Sequence, residues 1–168
     1  MRHLQWLAVV WCTAGTVLYA QGAGEYEIKA AFLYNFVRLV EWPADAPAGP
    51  IRICVAGPQA FEAQLDATVQ GEAIGGRPVT VSPVSQLEPG CHVLFVPSRA
   101  DATRYLRAAN GRPVLTVGES PDFIGQGGII NFVIEQNRVR FEINPGAAMR
   151  ANLRISSRLL QLARIRQS

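Results

Sequence analysis

Apolar positions in residues 26–41 recur at helical spacing. Ile28, Phe32, Phe36 and Leu39 form one stripe, with Leu33, Val37 and Val40 beside it, so the segment predicts a helix with a wide apolar arc. Glu25 and Glu27 near its start suit the positive end of the helix dipole. Pro43 disfavours helical backbone at Trp42 and predicts the stop. A Pro-, Ala- and Gly-rich loop follows over 44–50. The period then changes: 51–56 predicts a strand, and Gly57-Pro58 opens a helix to about residue 68. A turn-rich link, 71–77, leads to a short strand at 79–81. Residues 91–96 are almost continuously apolar, as in a strand covered on both faces. Ser98 and Asp101 form a capping-box pattern before a helix over 100–109, which Asn110-Gly111 closes. Residues 114–117 predict another buried strand.

Strands thus alternate with short helices as far as residue 117, which predicts an α/β fold: a mainly parallel sheet covered by helices on both faces. The pattern then shifts to two strands, 128–134 and 138–143, joined by a turn at Glu135-Gln136-Asn137. The second alternates polar and apolar residues, as an edge strand with one wet face does, so a C-terminal antiparallel hairpin is expected. Asn144 as cap and Pro145 in the first turn start a final helix. Met149, Leu153, Ser156, Leu160 and Ala163 form its predicted stripe, widened by Ile155, Leu159 and Leu162, and Arg150, Arg154 and Arg158 recur on another face. Residues 25–166 read as one domain, with the Cys91 strand inside the sheet.

The first residues change the picture of where the domain works. A basic start at Arg2 and His3, an apolar stretch from Leu4 to Tyr19 and a small residue at Ala20 describe a cleaved signal peptide over residues 1–20. Ala23 is a second cleavage point. The apolar stretch is too short and interrupted for a membrane span, which needs roughly 20 apolar residues. Cys12 follows the bulky Trp11, which argues against lipidation. The chain carries 16 basic and 13 acidic residues, too weak a balance to point to nucleic acid. Lys29 is the one lysine among many arginines. Beyond the leader two cysteines remain, Cys54 and Cys91, and an exported protein permits them one disulfide. Their strands are neighbours if the first βαβ unit is compact and right-handed. Two buried free thiols are the alternative.

Residues for catalysis are scarce. Beyond the leader His92 is the one histidine, and with Cys91 it falls short of a four-ligand zinc site. No Gly-x-Ser-x-Gly elbow occurs, and a cap explains Ser98. Gly125-Gln126-Gly127-Gly128 precedes a strand, whereas a nucleotide loop follows one and opens a helix. The reading is therefore a protein without enzymatic activity, cofactor or metal. Two features remain. The aromatic run with Tyr34, Phe36 and Trp42 exceeds what one helix face buries, and it marks a candidate partner or dimer surface. The Arg150, Arg154 and Arg158 stripe marks a candidate contact with an anion or an acidic partner.

Several blocks together resemble the YfiR-like periplasmic proteins. These are Lys29-Ala30-Ala31-Phe32-Leu33-Tyr34-Asn35-Phe36 with Glu41-Trp42-Pro43; Val114-Leu115-Thr116-Val117-Gly118; Gly127-Gly128-Ile129-Ile130-Asn131-Phe132; residues 138–144; and residues 153–163. The resemblance implies a periplasmic repressor that binds the periplasmic region of a membrane diguanylate cyclase and lowers cyclic-di-GMP signalling and biofilm output. It also implies a homodimer and redox-sensitive disulfides, with Cys54 and Cys91 at the position of one such pair. The chain has no cysteine over 128–144, where some members carry a second pair. The runner-up expectation is a periplasmic small-ligand-binding module, which a deep cleft with convergent polar groups would favour. A flat apolar patch around the first helix would favour a protein partner.

Overall fold

A computed structural model describes residues 17–57 and 60–167. The expected signal peptide lies mostly outside these residues. The chain runs α1 (Val17–Arg38), β1 (Val40–Glu41), β2 (Ile51–Ala56), α2 (Ala60–Val69), β3 (Ala73–Ile74), β4 (Arg77–Val84), β5 (Cys91–Val96) and α3 (Ala102–Ala109). It continues through β6 (Leu115–Gly118), β7 (Ile130–Glu135), β8 (Arg138–Ile143), α4 (Pro145–Arg150), β9 (Arg154–Ile155), α5 (Ser157–Leu162) and β10 (Arg164–Ile165).

The expected α/β fold is present. Eight strands form one sheet in the order β10-β8-β7-β6-β5-β2-β4-β3. From β4 to β7 neighbours run parallel; β8 turns back antiparallel to β7, and β3 antiparallel to β4. β5 lies inside the sheet, between β2 and β6. Chain direction reverses at β2: the first crossover goes to β4 and later strands add on the other side, the order of a doubly wound sheet. Crossovers of one hand in opposite directions put their helices on opposite faces. Accordingly, Phe61 and Leu65 of α2 pack with α1 on Ile53, Val55, Val93 and Phe95. Tyr105 and Leu106 of α3 cover Cys54, Leu94 and Val96 on the other face. Residues 85–90 return from β4 to β5 without a helix. Tyr105 Oη ties this link to α3 by donating to the Ser85 carbonyl at 2.9 Å.

Local chemistry explains the element ends. Asp101, not Ser98, caps α3, accepting from the Arg104 N–H at 3.1 Å. Asn144 caps α4 with Pro145 in its first turn, as expected. Gln136 and Asn137 both have positive φ, which matches the two-residue turn that follows strand twist in a hairpin. The glycine-rich run has a packing reason: a Cβ on Gly118 or Gly128 would run into the buried Phe123 ring.

Three expectations need correction. The first helix begins earlier, so Glu25 sits inside it and pairs with Lys29 four residues on. It also ends earlier, and Val40–Glu41 pair with β9 as a strand instead. The single final helix is two. Asn152 takes a left-handed φ of 56°, Leu153 and β9 run extended, and Ser156 caps a new helix by accepting from the Leu159 N–H. The apolar spacing spanned this break because Leu153 and Leu159 reach the core from separate elements. Phe36 is core, not surface: it is 1 % exposed and sits against Phe132 and Phe141, with ring centroids 5.6 and 4.9 Å away. The hairpin supplies a second layer of apolar surface beneath α1, which absorbs the wide arc.

Cys54 and Cys91 are joined, with Cα atoms 5.9 Å apart, on the α3 face of adjacent strands. Two outcomes follow. Phe36→Ala should lower unfolding free energy by about 3–5 kcal/mol in urea melts, and a loss below about 1 kcal/mol would return the residue to the surface. Reduction of the disulfide should remove about 4 kcal/mol, since it frees a loop closed across 37 residues. Equal denaturation midpoints with and without reductant would contradict that.

Candidate functional site

The candidate surfaces meet differently from the way the sequence arranges them. Tyr34 is half-buried and fixed, its hydroxyl donating to Glu72 at 2.5 Å with the Arg38 guanidinium 5.8 Å from its ring. That hydrogen bond, then burial and the Glu72 charge, holds the phenol above its ordinary pKa. Phe36 leaves the surface altogether. Trp42 is half-buried, and its Nε1 is enclosed without a hydrogen-bond partner. Arg150, Arg154 and Arg158 are all exposed, but they belong to α4, β9 and α5 and share no helix face.

The β1–β9 pairing brings two of these groups together. Glu41 lies opposite Arg154 in that ladder. A shallow groove of about 540 Å³ results, lined by Trp42 and Pro43 on one side and by Met149, Leu153 and Arg154 on the other. Met149, expected on a buried stripe, is 71 % exposed here. Large apolar groups beside an exposed arginine are the composition of a protein interface core and its rim. Sequence reading found Trp42 and Arg154 but not their adjacency. A two-residue ladder between distant segments leaves no periodic signal.

His92 is wholly buried at the start of β5. Its Nδ1 accepts from the Arg52 N–H at 3.2 Å, and its Nε2 lies 2.8 Å from both the Pro47 carbonyl and Arg77 Nη2. Trp42 stands edge-on, 6.0 Å away. Both ring nitrogens are engaged, so the imidazole is a clasp between the 44–50 loop and the sheet. Among the described residues no group of three or more His, Cys, Asp or Glu could hold a metal.

A buried ion-pair cluster forms around Lys29, the residue that opens the first family-like block. Lys29, on the buried side of α1, reaches Glu25 at 2.5 Å and Glu119 at 2.7 Å. Burial pushes its ammonium pKa down, but hydrogen bonds and charge from Glu119 and Glu25 outweigh this and leave it raised. Glu119 also accepts from the Ser98 N–H at 3.1 Å. A lone lysine on an apolar helix in an arginine-rich chain was the available signal.

A profile of the YfiR/HmsC-like proteins matches residues 26–164. The chain belongs to the YfiR/HmsC-like family. No curated protein matches it. In this YfiR/HmsC-like chain no described helix is long and apolar enough to cross a membrane.

The buried His92 gives the fold a pH dependence. Burial disfavours the imidazolium and Arg77 adds repulsion; the Pro47 and Gly90 carbonyls oppose them, and the net pKa lies below the ordinary 6.5. The unfolded chain therefore takes up this proton first as pH falls. The neutral ring's contribution is complete above 6.5 and is lost as pH drops from there toward the folded value, by about 1.4 kcal/mol for each unit between the two. Urea melts at about pH 7 and pH 5 should show this loss in the native protein and less of it in His92→Gln. The same slope in both would remove His92 as its source.

Proposed function

We propose that this protein is an exported, non-catalytic regulator that restrains a membrane diguanylate cyclase, or a similar signalling receptor, by binding its periplasmic region. The observation that carries the reading is the family match over residues 26–164, which takes in nearly the whole described fold. The site chemistry agrees: His92 is sealed by three neighbours, and the two cysteines are bonded to each other. Neither is free to act as a base or nucleophile.

The contact surface in this reading is the Trp42–Met149–Arg154 groove. Arginine and aromatic groups dominate binding energy at protein interfaces, and an acidic receptor surface would complement Arg154. A homodimer belongs to the same reading; it rests on the family resemblance and is measured by analytical ultracentrifugation.

The test is direct binding of the purified protein to the periplasmic regions of the membrane cyclases from the same organism. Arg154→Glu and Met149→Asp should each weaken binding at least about tenfold, about 1.4 kcal/mol, while leaving the thermal midpoint within a few degrees. Binding that both variants retain would move the interface elsewhere. No binding to any such region would reject the reading.

A further inference from the structure

A second recess lies outside the carboxyl ends of β5 and β6. Its volume is about 880 Å³, and its walls are the loops after these two strands, the middle of α1 and the strands β7 and β8. That size fits a small-molecule site. Three buried side-chain atoms lack a hydrogen-bond partner among the described residues, and two of them, Ser120 Oγ and Asn131 Oδ1, belong to residues lining this cleft. Asn131 is 1 % exposed. An enclosed polar atom left unsatisfied costs about 1–3 kcal/mol, so two in one recess call for a reason.

A third group belongs with them. Glu142 stands directly across the β7–β8 ladder from Asn131 and is 8 % exposed. Its ion-pair partners Arg164 and Arg166 approach only to 3.7 and 3.9 Å, too far for hydrogen bonds. Directly opposed side chains on one sheet face have Cβ atoms about 4.5–5.5 Å apart, so one small group can reach both. Lys29 does not supply it, because its ammonium is held by Glu25 and Glu119.

We propose that this cleft binds the primary ammonium group of a small molecule, with Asn131, Ser120 and Glu142 as its acceptors. A primary ammonium carries three N–H donors and one positive charge, matching an amide oxygen, a hydroxyl and a carboxylate. The exposed guanidinium of Arg166 at the rim is placed to meet a carboxylate on the same molecule. The site is separate from the Trp42–Arg154 groove, and its existence does not depend on the identity of any protein partner.

Calorimetric titration and thermal melts of the exported protein test it with ethanolamine, glycine and tetramethylammonium. Ethanolamine offers the ammonium alone, glycine adds the carboxylate, and tetramethylammonium has the charge without a donor. Saturable binding of ethanolamine or glycine is expected, and the tighter of the two tells which kind of molecule the site takes. Failure of both to bind at about 10 mM, or equal binding of tetramethylammonium, overturns the proposal. Asn131→Leu removes an unsatisfied acceptor, so it should melt no lower than the native protein yet lose the ligand-induced shift. Undiminished binding in this variant overturns the assignment. Glu142→Gln keeps the side-chain shape and should weaken binding at least about tenfold; unchanged affinity would likewise overturn it.

Discussion

The ring of Phe36 lies between Phe132 and Phe141, and much of the molecule hangs on that wedge. Phe32 extends it, meeting Phe36 and Phe141 at 6.2 and 5.3 Å. Aromatic pairs in such stacked and edge-to-face arrangements contribute beyond their buried area. Together they hold α1 across a hairpin that comes some ninety residues later in the chain. The Lys29 ion pairs fix the same helix near β6, in a geometry that packing alone does not specify. With α1 placed, the chain leaving it at Leu39 accepts the Ser156 N–H at 3.0 Å, and β1 pairs with β9. The Trp42–Arg154 groove is a consequence of that chain of contacts.

The fold was legible where one local pattern settles one element. The mostly apolar runs of β2, β5 and β6 predict their places inside the sheet. The alternation of β8 predicts a strand but not its place: it reads as an edge, yet β10 pairs with its outer side. Asn144-Pro145 predicts a helix start because the cap is a local hydrogen bond. Legibility failed where distant segments compete for the same residues. Val40 and Glu41 continue the helical spacing of α1, yet a ladder to β9 takes them. Leu153 and Leu159 match one helix's period, yet Asn152 and Ser156 divide it. Phe36 looked like surplus apolar surface because the aromatics that cover it are remote in sequence. Of the candidates, the cysteine pair was readable, while Trp42 and Arg154 were singled out without their adjacency. Ser120 and Asn131 were not readable, since being unsatisfied is a property of three-dimensional surroundings, and Glu142 was not, since its place opposite Asn131 depends on the ladder register.

In the regulatory reading proposed above, the protein works through its surfaces. Its groups with chemical potential are engaged in structure: the thiols in a disulfide, the imidazole in a clasp, the lysine between two carboxylates. What stays open is surface, a groove lined by Trp42, Met149 and Arg154 and a polar cleft at the strand ends. A protein that restrains a receptor needs a rigid scaffold for such surfaces, and the covalent bond between two interior strands contributes that rigidity.

Cellular cyclic-di-GMP tests the regulatory claim most directly. It is measured in a strain lacking the gene and in the same strain with the full chain restored. The account predicts that cyclic-di-GMP rises on deletion and returns to its original level on restoration. A level that stays unchanged or falls on deletion would contradict it.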